Sequence, residues 1–257
     1  MNAPLVLLAR HGDVARVTLN RPERHNSLVP ELLAALNGVL DTLRADPPRV
    51  LVLGGAGRSF STGGDVRAFA RTPRAERRAY AEGLVGALNA AILALVDLPC
   101  PVVARVQGPV TGGSAGLVFA ADLVIMAETA FLAPYYVEVG FSPDGGWTAL
   151  LPERIGAARA GEIQMLNRRI DAATAQALGL ATRVAAASGL DTEVNAVVAL
   201  LVEKSSRSLA ATKALLWPPE RRARLEKGLA RELTGFLDLI ERPETEAGMA
   251  RFLGEAA

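Results

Sequence analysis

Two short, continuously apolar segments, each followed by a glycine-rich loop, constrain the possible folds of this chain most strongly. The segments read RVLVLGG at residues 49–55 and PVVARVQG at residues 101–108, and the loops that follow contain FSTGGD and VTGGSAG. A continuous apolar run of this length is typical of a strand buried on both faces, as in a parallel sheet covered by helices. Because a helical pattern follows each loop, the sequence predicts a mixed α/β core.

The spacing of apolar residues predicts the remaining elements. Alternating or short continuous apolar runs indicate strands, and apolar positions three and four residues apart indicate helices. The pattern gives strands at 5–9, 14–19 and 122–127, helices over 30–45, 74–97 and 117–121, and helices from about 145 onward with one strand near 182–186.

Composition excludes several classes of protein. The chain has 257 residues, is 50% hydrophobic and carries a formal net charge of +1. This balance argues against disorder and gives no electrostatic footprint for nucleic acid. Cys100 is the only cysteine and the chain has two histidines. We therefore expect no intrachain disulfide and no metal site.

The sequence also predicts where the protein resides. No apolar run approaches the roughly 20 residues needed to span a bilayer, so we expect no membrane segment. The N-terminal segment has no basic region before its apolar run, which fits neither a secretory signal nor a transit peptide. A cytoplasmic protein without nucleic-acid or membrane partners is the resulting prediction.

The segment GGSAG at residues 112–116 fits the nucleophile elbow of serine hydrolases, which lies between a strand and a helix. In that class the histidine follows the serine along the chain. Here both histidines, His11 and His25, precede Ser114. Close packing of a helix on a strand therefore explains these small residues better than a nucleophile does.

The two glycine-rich loops admit a second interpretation. Free N–H groups at the start of a helix can bind an anion, and two such loops side by side would supply the converging donors of an oxyanion hole. Tight turns are the alternative, and glycine content alone favours them.

Four segments resemble the crotonase (enoyl-CoA hydratase/isomerase) superfamily in order, spacing and wording. They are VTLNRPERHNSL, GAGRSFSTGGDVRAF, PCPVVARVQGPVTGGSAGLVFAADLVIMAETAFL and VGFSPDGGWTALLPERIGAARAGEI, within a resemblance that spans about residues 5–252. The resemblance implies an α/β fold, a spiral of repeated ββα units. It also implies a core over residues 1–190 that binds the acyl-CoA, and a helical region over 191–257 that mediates homotrimers, often paired into hexamers.

The resemblance further implies a substrate and a set of site residues. The substrate is an acyl-CoA thioester, so coenzyme A enters as part of the substrate and no separate cofactor is expected. The thioester oxygen would accept hydrogen bonds from the backbone N–H groups of Gly64 and Gly113. The residues assigned to binding of the acyl-CoA are Arg24, His25, Ser61, Gly63, Asp65, Tyr136 and Trp147. For Tyr136 and Trp147 the alternative is that these aromatic residues belong to the core. Asp65 also stands where a carboxylate caps a helix.

The residues that distinguish hydratases from isomerases point to one catalytic carboxylate. Where hydratases of the family carry two glutamates, this chain has Gly116 and, after Pro134, Tyr135. The segment SPDGG places Asp144 where isomerases of the phenylacetate pathway, and a 4-chlorobenzoyl-CoA dehalogenase, carry a catalytic aspartate. A single carboxylate suits an isomerase, because it can remove a proton from one carbon and return it to another.

Other hypotheses remain open at this stage. One is a hydratase, or lyase, in which Asp144 or Glu138 replaces the usual glutamates. Another is a catalytically silent acyl-CoA binding protein, in which Asp144 is a turn residue of Ser-Pro-Asp-Gly. Dehalogenation is disfavoured, because Trp147 and His25 do not match the positions that this chemistry requires.

Overall fold

The computed structural model describes residues 3–255, which form two sheets surrounded by helices. The larger sheet has six strands in the order β1-β2-β3-β4-β6-β9, and the smaller has three in the order β5-β7-β8. The strands are β1 Val6–His11, β2 Val14–Leu19, β3 Val50–Gly55, β4 Val102–Val106, β5 Val110–Thr111, β6 Leu123–Ala127, β7 Phe131–Ala133, β8 Ile170–Asp171 and β9 Arg183–Ala185.

Helices cover the sheets and make up most of the chain after β7. They are α1 Pro30–Ala45, α2 Val66–Arg71, α3 Arg74–Asp97, α4 Ala115–Phe119, α5 Tyr136–Val139, α6 Leu151–Ile155, α7 Ala157–Met165, α8 Ala172–Ala177, α9 Leu190–Val202, α10 Ser206–Leu216, α11 Pro219–Leu239 and α12 Pro243–Phe252. The mixed α/β fold predicted from the sequence is confirmed. The division into a core of residues 1–190 and a trimer-forming region of residues 191–257 remains a prediction.

The centre of the large sheet follows the apolar pattern of the sequence. Strands β2, β3, β4, β6 and β9 pair in parallel, and β1 closes one edge as an antiparallel hairpin with β2. Every residue of β3 is buried, as a strand covered on both faces requires. Helices α1 and α3 pack against each other.

The structure corrects two expectations about the segment after β4. The small sheet was not predicted, because its strands are only two or three residues long and leave too few alternating positions to detect. The alternation in YYVEVGF, residues 135–141, is typical of an extended segment, but residues 136–139 form α5. Tyr135 precedes this helix in a left-handed conformation, with φ of 59°.

Helix α3 bears on the expectation that the chain has no membrane segment, which remains a prediction. Within residues 3–255 it is the one helix long and apolar enough to cross a bilayer, with a mean hydropathy of 1.7 over its best 18-residue window. Half of that window is buried inside the protein. A core helix passes the same test of length and composition, and α3 packs between α1 and α11.

Candidate active site

The two glycine-rich loops lie in direct contact. Ser61 and Val110 form a parallel bridge between them. Gly63 has a φ of +74°, and a Cβ atom there would lie 2.5 Å from the carbonyl oxygen of Thr111. A side chain at residue 63 would therefore separate the loops, and glycine allows both the close approach and the left-handed backbone.

Gly64 and Gly113 each present a backbone N–H on this pair of loops. Gly113 is the second residue of a short 3₁₀ helix, Gly112–Ser114, where N–H groups have no partner within the helix. Among residues 3–255, neither the Gly64 N–H nor the Gly113 N–H has a protein acceptor, and both glycines line the same cavity. The two donors are thus available to a ligand, and their binding of a thioester oxygen remains a prediction.

The cavity in front of these glycines has a volume of about 900 Å³. One part of its wall is apolar and includes Leu84, Leu88, Phe69, Phe141 and Phe236. Phe69, Phe141 and Phe236 contact one another, with ring centroids 5.0–5.7 Å apart. This part of the cavity suits a hydrocarbon group.

Basic side chains line another part of the cavity. Arg24, His25, Arg58 and Arg67 are among its lining residues. The guanidinium of Arg58 lies 3.0 Å from Nε2 of His25. Such a cluster is suited to phosphate groups. Arg58 and Arg67 were not singled out from the sequence, because an isolated arginine in a loop or in a short helix such as α2 carries no distinguishing pattern.

Asp144 is a buried carboxyl group beside the Gly113 loop. The hydroxyl of Tyr136 donates a hydrogen bond of 2.5 Å to Oδ1 of Asp144. A Cβ atom on Gly113 would lie 2.5 Å from the same oxygen. Burial raises the pKa of Asp144 to about 7, helped by the charge of Glu232 and opposed by the hydrogen bond from Tyr136. The carboxyl can therefore accept and release a proton near neutral pH.

Asp65 also lines the cavity, but its carboxylate is already occupied. It caps α2 by accepting a hydrogen bond of 3.3 Å from the Ala68 N–H. Its Oδ2 lies 3.4 Å from Arg21 and 3.3 Å from Arg24. Burial alone would raise the pKa of Asp65, but Arg24, with help from the helix N–H and Arg21, holds it below its ordinary value. The capping interpretation made from the sequence fits this geometry.

Three of the residues assigned to substrate binding do not line the cavity: Ser61, Gly63 and Trp147. Ser61 is fully buried and donates to the Asn26 carbonyl at 2.7 Å. Trp147 is fully buried too, and its Nε1 donates to the Gly112 carbonyl at 2.8 Å. The side chains of Ser61 and Trp147 face the protein interior, so these two residues support the loops from behind instead of contacting a ligand. The other assigned residues, Arg24, His25, Asp65 and Tyr136, do line it.

Asn26 lies in the loop that the resemblance places near the coenzyme A, and its structural role there was missed by sequence reasoning. It is fully buried, has a φ of 54°, and donates from Nδ2 to the carbonyl groups of Ala56, Ser59 and Phe60. These bonds hold the loop after β3 against the loop that carries Arg24. The sequence offered no signal, because a loop asparagine ordinarily satisfies its own turn.

Glu232 was missed as well, although the sequence contained a signal. It lies on α11 between Leu229 and Phe236, at the spacing of the buried face, and is 4% exposed. An acidic residue on the apolar stripe of a helix requires partners inside the protein. Its partners are backbone N–H groups and one hydroxyl group in the segment just after Asp144.

The positions of the alternative catalytic groups are also defined. Glu138 is exposed on α5 and does not line the cavity. Ser114 is buried and donates to the carbonyl groups of Ser61 and Thr111, which agrees with a packing role. At Gly116, a Cβ atom would lie 2.3 Å from the Gly145 carbonyl oxygen. Residues 3–255 contain no group of three potential metal ligands.

Comparisons with known proteins agree with one another. The family model for enoyl-CoA hydratase/isomerase matches residues 9–256. A protein described as a probable enoyl-CoA hydratase of Mycobacterium tuberculosis is 34% identical over 246 residues, covering 93% of this chain and 86% of that protein.

Two solved structures resemble this chain over most of its length. An enoyl-CoA hydratase from Mycobacterium avium subsp. paratuberculosis has a TM-score of 0.87 at 31% identity, covering 97% of this chain and 99% of that one. A monofunctional enoyl-CoA isomerase from M. smegmatis has a TM-score of 0.69 at 32% identity, covering 86% and 99%.

Proposed function

This chain belongs to the enoyl-CoA hydratase/isomerase family, and we propose that it is an enoyl-CoA isomerase that uses Asp144 as its acid and base. One observation carries the proposal. The carboxyl group of Asp144 is buried, has a pKa raised by burial to about 7, and lies against the Gly113 loop. It is therefore close to the position of a thioester bound by Gly64 and Gly113.

In the proposed reaction the thioester oxygen accepts hydrogen bonds from the N–H groups of Gly64 and Gly113. The ionised Asp144 takes a proton from one carbon of the acyl group, and the electron pair of that C–H bond moves toward the thioester oxygen. The two N–H groups stabilise the negative charge that develops there, and each such donor is typically worth about 3–4 kcal/mol. The protonated Asp144 then returns its proton to another carbon, and the double bond has moved.

The surroundings of Asp144 support isomerisation over hydration. Hydration requires a group that activates water as well as a proton donor. Of the carboxylates that line the cavity, Asp65 is paired with Arg21 and Arg24, and Glu23 is exposed beside Arg24. The backbone of Gly145 occupies the space that a side chain at residue 116 would need. Hydration remains the second candidate, because the relatives above are mostly named hydratases.

The proposal extends to the coenzyme A part of the substrate. Arg24, Arg58 and Arg67 would contact the phosphate groups, and the apolar wall near Leu84 and Phe236 would hold the acyl chain. A cytoplasmic location and a homotrimer or hexamer are further parts of the proposal, taken from the sequence analysis.

The test compares the wild type with Asp144→Asn on 3-enoyl-CoA and 2-enoyl-CoA substrates. We expect the wild type to interconvert them and the variant to lose activity by a factor of 100 or more, by the usual effect of removing a general base (about 100- to 10,000-fold). Glu138→Gln is the matched control, because it makes the same chemical change on the exposed face of α5.

Three results would contradict the proposal. Equal activity in Asp144→Asn would exclude Asp144 as the acid and base. Loss of the conjugated 2-enoyl thioester absorbance with formation of a hydroxyacyl product would indicate a hydratase. Binding of acyl-CoA measured by calorimetry, without turnover of any substrate, would indicate a silent binding protein.

A further inference from the structure

Glu232 reaches the active site from a part of the chain that is distant in sequence. Its Oε2 accepts a hydrogen bond from the Gly146 N–H at 2.7 Å. Its Oε1 accepts from the Thr148 N–H at 2.6 Å, the Thr148 hydroxyl at 2.7 Å and the Ala149 N–H at 3.0 Å. Backbone N–H groups can only donate, so both oxygens serve as acceptors. Burial raises the pKa of Glu232, and these hydrogen bonds oppose that rise by favouring the ionised carboxylate.

These bonds fix the segment that follows Asp144. Gly146 is two residues after Asp144, and Gly145 between them packs directly on Gly113, where an added Cβ would lie 2.3 Å from the Gly113 carbonyl oxygen. Glu232 therefore fixes the position of Asp144 relative to the Gly113 loop. It also places a second acidic group near Asp144, which raises the pKa of Asp144 in the same direction as burial does.

Tyr136 acts on the same carboxyl group in the opposite sense. Its hydroxyl donates to Oδ1 of Asp144 at 2.5 Å and lies 3.1 Å from the Asp144 carbonyl oxygen. Burial raises the pKa of Tyr136 well above its ordinary value, so the phenol stays neutral and remains a donor. A donor to a carboxylate favours the ionised form of Asp144.

We propose that Tyr136 and Glu232 are opposed positioning residues that together set the protonation of Asp144, one by donating to its carboxylate and the other by charge and by holding the following loop. The consequence for catalysis rests on the proposed isomerase activity. The effect on the proton affinity of Asp144 is independent of that activity, because it follows from the contacts of the folded protein.

Of the residues around Asp144, only Tyr136 and Glu232 among those described control its protonation. Helix α3 presents Leu88 toward Gly113, and the Gly113 loop presents Gly113 itself. Within residues 3–255, the groups that act on the proton affinity of Asp144 are Tyr136 from α5 and Glu232 from α11, and no arginine or lysine pairs with it.

The experiment measures the titration of Asp144 directly. The carboxyl resonance of carbon-13-labelled aspartate is followed against pH in the full-length protein, and the Asp144 signal is assigned by its absence in Asp144→Asn. We expect Tyr136→Phe to shift the midpoint upward and Glu232→Gln to shift it downward, each by on the order of one pH unit. The double variant should return toward the wild-type midpoint.

The pH profile of kcat/KM gives the second readout. If Asp144 must be ionised to act, the rising limb of the profile shifts in each variant in the same direction as the midpoint of the Asp144 titration. Opposed shifts in the resonance without isomerase activity would support the positioning roles while contradicting the proposed function. Unchanged midpoints, or shifts in one direction for both variants, would overturn the inference.

Thr148→Ala is the matched control for a purely structural role of Glu232. It removes one hydrogen bond to the same carboxyl group but leaves the charge in place. If Glu232→Gln acted only by loosening the loop, Thr148→Ala would lower the Asp144 midpoint as well, and that result would contradict the electrostatic role. Near-UV circular dichroism checks that each variant retains its fold.

Discussion

The carboxyl group of Asp144 lies directly against the Cα atom of Gly113. A methyl group at residue 113 would be 2.5 Å from Oδ1 of Asp144 and 2.7 Å from a methyl carbon of Leu88. The proposed proton carrier and the proposed oxyanion donor are thus in van der Waals contact, although they lie 31 positions apart in the sequence.

Gly113→Ala should reduce kcat far more than Gly64→Ala. At residue 113 the new methyl group displaces the carboxyl group of Asp144. At residue 64 it meets the ring edge of Phe69 at 3.1 Å, which can move by a few tenths of an ångström. Since small misplacements of catalytic groups cost about 100-fold, we expect a loss of that order for Gly113→Ala. Steady-state kinetics on both variants checks this, and equal losses would contradict the assigned geometry.

Asp144→Asn should stabilise the protein, and more so at alkaline pH. The pKa of Asp144 is raised from 3.8 to about 7, so the folded state binds a proton that the unfolded state releases. The contribution of Asp144 to the free energy of unfolding is present at low pH and is lost as the pH rises through about 7. From pH 5 to about 7, at about 1.4 kcal/mol per pH unit, the loss is about 3 kcal/mol.

The asparagine variant cannot ionise and should lack this loss. Urea unfolding at pH 5 and pH 8 measures the difference, with the exposed Glu138→Gln as the control that keeps the wild-type slope. A variant whose stability falls with pH as steeply as that of the wild type would show that Asp144 is not a buried acid.

Gly116→Glu should not create a hydratase. A Cβ atom at residue 116 would lie 2.3 Å from the Gly145 carbonyl oxygen and 2.4 Å from a methyl carbon of Ile92. Even Gly116→Ala should therefore destabilise the protein by about 1–3 kcal/mol. Gly161→Ala, in α7 with no atom within 4 Å of the added Cβ, should stabilise it by roughly 0.5–1 kcal/mol. Thermal unfolding tests both, and hydration by Gly116→Glu would contradict the prediction.

Arg58→Ala should weaken binding of an acyl-CoA but not of the corresponding acyl-pantetheine, which lacks the nucleotide phosphates. The side chain lies beside His25 on the basic part of the cavity wall. For an exposed charge contact we expect KM to rise roughly twofold to fivefold, and less at high salt. Arg207→Ala, which removes the same charge from α10 outside the cavity, serves as the control. A parallel rise in KM for both substrates would place the phosphates elsewhere.

Much of the fold could be predicted from local patterns. The helices at Pro30–Ala45 and Arg74–Asp97 begin and end where the sequence pattern places them, because prolines and apolar spacing act within a few residues. The strands β5, β7 and β8 could not be predicted, because their pairing depends on partners 22 to 40 residues away. The extended interpretation of residues 135–141 failed since period-2 alternation over so few residues also fits a single helical turn.

The same distinction between local sequence patterns and the packing of distant segments applies to the candidate site. The sequence by itself determined which glycines could present free N–H groups and that Asp144 was the carboxylate to consider, because those properties belong to residue types and motif order. Only the tertiary structure decided that Trp147 supports Gly112 from behind and that Tyr136 donates to Asp144. It also placed Glu232 of α11 beneath the same loop. Burial and hydrogen-bond geometry arise where distant segments pack together, and those quantities control the charge of a carboxyl group.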